Sequence, residues 1–132
     1  MNIGYSMSSS PLSLFVNQLS SLGKELNDMY PDDIDIKMAK NTIETMRILN
    51  PKKLFEIFSN FVLPYKDQIL SRDDNFFLEM DYTKLLNAGD SDGLSTVMNL
   101  KKYWSSMSPQ TRECMWQYFG VLLKLTEKIN GQ

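Results

Sequence analysis

The sequence predicts an all-α fold: a single-domain bundle of about five helices over residues 10–130, preceded by a short arm over 1–9. Three observations carry this prediction. Ser10-Pro11, Asn50-Pro51 and Ser108-Pro109 each set a capping side chain before a proline. The side-chain oxygen can accept from an orphan amide, and the proline then takes the first helical position, where its missing N–H costs nothing. The segments that follow repeat apolar residues at spacings of three and four. No stretch combines period-two alternation with hairpin chemistry, so no strand is expected.

Taken in order, the arm "MNIGYSMSS" is small, polar and without period. The first helix is expected from Pro11 to Met29, with Leu12, Phe15, Val16, Leu19, Leu22, Leu26 and Met29 on one stripe and Pro31 as its stop. The second is expected to start near Asp32 and Asp33, whose charges suit a helix N-terminus, and to bury Ile36, Ala39, Ile43 and Met46 before Asn50. The third begins at Pro51 and buries Leu54, Phe58 and Phe61. Pro64 cannot donate to the Asn60 carbonyl, so a kink or two abutting pieces should carry Tyr65 and Ile69 onward in phase. A fourth helix is expected near 94–106 with Leu94, Val97, Met98 and Trp104 inward. The fifth starts at Pro109 and buries Met115, Trp116, Phe119, Leu122, Leu123, Thr126 and Ile129, with Asn130-Gly131 as a left-handed C-cap.

Composition narrows the chemistry. Histidine is absent, which removes the commonest general base and transition-metal ligand. One cysteine, Cys114, permits neither an internal disulfide nor a cysteine zinc cluster, and it has no histidine to activate it. No phosphate-binding glycine loop and no nucleophile-elbow pattern occurs. The net charge of −2 gives no global attraction to nucleic acid. Charge is nonetheless uneven: residues 66–92 hold three basic and seven acidic side chains, and 101–132 hold five basic and two acidic. No basic n-region precedes an apolar segment, and no apolar run reaches the roughly 20 residues needed to span a bilayer. No cofactor, metal or membrane is therefore expected.

Two stretches carry the candidate sites. In "RDDNFFLEMDY", residues 72–82, Phe76, Phe77 and Tyr82 sit among acids. Asp73, Asp74, Glu79 and Asp81 do not single out an acid with a raised pKa or converge from rigid elements. The stretch reads as a connector anchored by its aromatic rings, with an exposed partner epitope as the alternative. "NLKKYW" and "MWQYF" join Lys101 and Lys102 to Trp104 and Trp116, a pattern that serves a core, a partner groove or, less well with two lysines, single-stranded nucleic acid. "NAGDSDG" lacks the carboxylates a calcium loop needs at its first and last positions.

The run "LKKYWSSMSPQTRECMWQYFGVLLKLTEKI" resembles the tail of small helical proteins encoded by nucleocytoplasmic large DNA (giant) viruses, and "FSNFVLPYKDQILSRDDNFFLEMDY" is similar to their middle segment. The resemblance implies a viral protein of the host cytoplasm or the virion and transfers no activity. The function expected is non-enzymatic: an interaction or structural protein that binds another protein, or itself, through an apolar helix face. The alternative is an accessory nucleic-acid-binding or transcription-related factor.

Overall fold

A computed structural model describes residues 10–75 and 103–131. Among these residues every regular element is helical and no strand occurs. The helices are α1 (Pro11–Met29), α2 (Ile34–Leu49), α3 (Pro51–Val62), α4 (Lys66–Leu70) and α5 (Pro109–Asn130). A single turn of 3₁₀-helix, Leu63–Tyr65, joins α3 to α4.

The helix starts follow their capping chemistry. Ser10 Oγ accepts from the Ser13 amide at 3.2 Å, and Asp33 Oδ1 from Ile36 at 3.1 Å. Asn50 Oδ1 accepts from Lys53 at 3.2 Å, and Ser108 Oγ from Thr111 at 3.1 Å. Pro64 acts as its chemistry requires. The α-helical ladder ends at Val62, the 3₁₀ turn absorbs the missing donor, and α4 resumes in phase, so that Ile69 is buried.

One expected cap is corrected. Gly131 ends α5 with φ −82°, outside the left-handed region. The left-handed cap occurs instead at Arg72, φ 53°. There the Asp73 amide donates to Gln68 at 3.0 Å and the Arg72 amide to Ile69 at 3.2 Å, the paired bonds of a Schellman ending for α4. A non-glycine at this φ costs about 1–2 kcal/mol. The Arg72 guanidinium offsets part of it by holding Glu113 of α5 through two bonds of 2.9 Å.

The core is one hydrophobic cluster built around α1, which packs against α2, α3 and α5. Phe15, Val16, Leu19, Leu22 and Leu26 supply its α1 side, and Met115, Trp116, Phe119, Leu122 and Leu123 its α5 side, all as their spacing predicts. Thr126 is fully buried and satisfies its hydroxyl by donating to the Leu122 carbonyl at 2.8 Å. Cys114 is half-buried against the cluster, as a structural cysteine would be. Residues 94–102 of the expected fourth helix lie outside the described residues, but Trp104 at its end is buried, and Arg112 of α5 donates to the carbonyls of Trp104 and Ser105.

Two helical glycines sit where a methyl group fits. A Cβ at Gly120 would meet nothing within 4 Å, and one at Gly23 would meet Ile43 Cδ1 at 3.5 Å and Lys40 Cα at 3.6 Å, ordinary contacts. Gly120→Ala and Gly23→Ala should each stabilise the protein by about 0.5–1 kcal/mol through helix propensity. Urea midpoints that fall for both would show that the interior is tighter than these distances.

Candidate functional site

The second helix differs from the others. Its inner side is the expected one: Ile36 is buried, and Ile43 and Met46 pack partly buried on the cluster. At Gly23 α1 lies against Ile43 and Lys40 of α2, with room for a methyl group. Beside that contact, Ser20 Oγ donates to Glu44 Oε1. Arg47 grips Glu44 Oε2 at 2.9 Å and Asn17 Oδ1 at 3.1 Å, and Lys24 stands 3.6 Å from Glu44. The Ser20 hydroxyl, then Arg47 and Lys24, hold the Glu44 carboxyl below the usual carboxylate range. These contacts orient α2 against α1, and so determine what its other side shows.

That other side carries exposed apolar residues. Ile34, Met38, Ile48 and Leu49 are 71, 53, 74 and 76% exposed. Ile34 and Ile36 are two residues apart, about 200° around the helix, so a helix that buries one presents the other. Ile34, Met38, Asn41, Thr45 and Ile48 succeed one another at spacings of four and three, a heptad seam, and none carries charge. The expected single stripe of α2, Ile36, Ala39, Ile43 and Met46, is thus one of two apolar sets at helical spacing.

At the N-terminal end of this face lies an open cavity of about 490 Å³, lined by Met29, Tyr30, Pro31, Asp32, Asp33, Ile34, Asp35 and Tyr103. Tyr30 and Tyr103 stack there at 3.8 Å between ring centroids. The Tyr103 hydroxyl donates to Asp33 Oδ2 at 2.6 Å while Asp33 Oδ1 caps α2, so one carboxylate ties residue 103 to a helix start. Chiefly through this bond, the Tyr103 phenol is pushed up to about 12.

The signs of these shifts give a pH profile. Glu44, and Glu113 beside Arg72, are held low in the folded state. Their contribution is present above the ordinary carboxylate range and is lost as pH falls through the folded values. Tyr103 runs the other way. Its contribution is whole below the ordinary 10.0 and disappears as pH rises to about 12. Melting temperatures should therefore fall at both extremes, and Tyr103→Phe should shrink the alkaline loss while leaving the acid limb. An alkaline limb identical to wild type in that variant would contradict the Tyr103–Asp33 bond.

The residues singled out from sequence divide clearly. Trp104 and Trp116 are buried and meet edge to face at 5.1 Å, with the Arg112 guanidinium 5.7 Å from the Trp104 ring centroid. They are core and offer no free face to a partner. Phe76, Phe77, Tyr82, Lys101 and Lys102 lie outside the described residues. Of the neighbouring acids, Asp73 accepts from the Asn75 amide at 2.9 Å, and Asp74 lies 3.7 Å from Arg112. Asp73 therefore serves a turn and Asp74 an ion pair. Among the described residues no group of three or more metal-ligating side chains comes together, and no helix is long and apolar enough to cross a membrane. Compared with known proteins, the chain matches no family model, no curated protein and no solved structure.

Proposed function

We propose that this chain is a small non-enzymatic interaction or structural protein that binds another protein, or itself, through the outer face of α2. The observation that carries the reading is the uncovered set Ile34, Met38, Ile48 and Leu49 on a helix whose opposite side is already packed. Fully burying one such side chain is worth about 1.5–3 kcal/mol, so four on one face are a substantial incentive for a partner. Contiguous apolar patches of this kind commonly mark interaction sites. The same reading keeps the five-helix bundle and, from the resemblance to giant-virus proteins, a structural role in the virion or the host cytoplasm. The nucleic-acid alternative has less support, since its two tryptophans are inside the core.

Capture experiments with Ile48→Glu test the reading. Ile48 is three-quarters exposed, so the variant should melt like wild type and lose the captured partner. Capture through an apolar face should also vary little with salt, whereas phosphate contacts would make it fall steeply. Equal capture by Ile48→Glu and wild type would overturn the proposal.

A further inference from the structure

Resting on the reading of the α2 outer face as an interface, we infer that its occupant is a second copy of this chain, with the two α2 helices antiparallel about a two-fold axis. The first argument is the order of residues along the seam. Apolar residues stand at both ends, Ile34 and Met38 at one and Ile48 and Leu49 at the other, with Asn41 and Thr45 between them. In the antiparallel register that pairs alternate core positions, Met38 meets Ile48 of the second copy and Asn41 meets Thr45. Both pairs recur by symmetry, as an isologous contact requires. The two Met38–Ile48 layers then flank the polar centre, where the Asn41 amide and Thr45 hydroxyl can bond across the axis.

Charge selects the direction. Asp32 and Asp35 are exposed at the N-terminal end of α2. Lys52 and Lys53 are exposed just beyond its C-terminal end and form no ion pair among the described residues. Antiparallel pairing brings the acids of one copy toward the lysines of the other and opposes the two helix dipoles. Parallel pairing gathers the acids of both copies at one end and the lysines of both at the other, and aligns the dipoles. The face spans about 24 Å of helix. A contact of that extent belongs with the smaller specific interfaces, under about 1,200 Å² in total, so the dimer should be weak and concentration-dependent.

Sedimentation equilibrium of the full chain, from micromolar to submillimolar protein, tests this. Wild type should show a monomer–dimer equilibrium. Ile48→Glu should raise the dissociation constant at least tenfold, with an unchanged melting curve at the lowest concentration. Lys52→Glu with Lys53→Glu should weaken the dimer at low salt, and adding Asp32→Lys with Asp35→Lys should restore it. Failure of the second charge reversal to restore association would overturn the antiparallel arrangement. A dimer indifferent to Ile48→Glu would remove α2 from the contact. A monomeric wild type whose capture of a different protein is still lost in Ile48→Glu would sink self-pairing and leave the interaction reading standing. A monomeric wild type in which Ile48→Glu melts well below the parent would sink both, because the chain's own residues would then cover the face.

Discussion

Phe15→Ala is expected to cost about 3–5 kcal/mol, a large share of the roughly 5–15 kcal/mol that holds a domain together. The ring is fully buried one turn into α1. It meets Phe55 edge to face at 5.1 Å and 83°, and Phe58 at 6.1 Å and 69°. Truncation removes the transfer energy of the ring, leaves a cavity between α1 and α3, and forfeits two aromatic contacts worth about 0.5–1.5 kcal/mol each beyond burial. The gap cannot close readily, because α1 is also braced by α2 and α5 on its other sides. Urea denaturation should show a much lower midpoint with an unchanged slope. A loss within about 0.5 kcal/mol, the range of surface substitutions, would mean that Phe15 is not packed between α1 and α3.

Trp104→Ala should have a comparable effect, again about 3–5 kcal/mol, and it decides between a core role and a binding role for this residue. Trp104 is buried, packs edge to face on Trp116, and lies beneath the Arg112 guanidinium, which also bonds its carbonyl at 3.0 Å. Removing the indole should loosen the junction of residues 103–107 with α5. Neighbouring Tyr103 would then lose its hold on Asp33, so the damage should spread to the start of α2. Trp104→Phe, which keeps an aromatic ring in the site, should recover part of the loss. A Trp104→Ala protein that melts like wild type but no longer binds its partner would reverse the assignment and make Trp104 an interface residue.

How much of this was legible beforehand depends on how local the physics is. The caps at Ser10, Asn50 and Ser108, each followed by proline, act within three residues, and the structure reproduces all three. The interruption at Pro64 follows from a donor the residue lacks. The stripes of α1 and α5 were legible because each helix offers one continuous set of large apolar residues at the helical period. Gly131 shows the limit of such rules. A glycine after the last turn permits a left-handed ending without requiring one, and α5 ends without it. At Arg72 the chain takes that conformation with a side chain the rule does not favour, where Glu113, 41 residues later, receives the guanidinium.

The candidate site was the least legible part, and α2 shows why. The sequence by itself determined a helix that starts near Asp32 and Asp33 and ends at Asn50-Pro51; the structure gives it the bounds Ile34–Leu49 and Asp33 as its cap. Two apolar sets wind around that helix, one through Ile36 and Ile43 and one through Ile34, Met38 and Ile48. Periodicity ranks neither above the other. The first set, the expected one, packs on the core; only the tertiary structure shows that the second stays exposed. The packing of Ile43 beside Gly23 and the Ser20–Glu44–Arg47 bonds fix how α2 lies on α1, with Ile36 and Ile43 on the core and the other set left exposed. Capping and helical period act over three or four residues and can be read along the chain. The choice of a buried face depends on partners 20 or more residues away, whose positions exist only once the helices have packed.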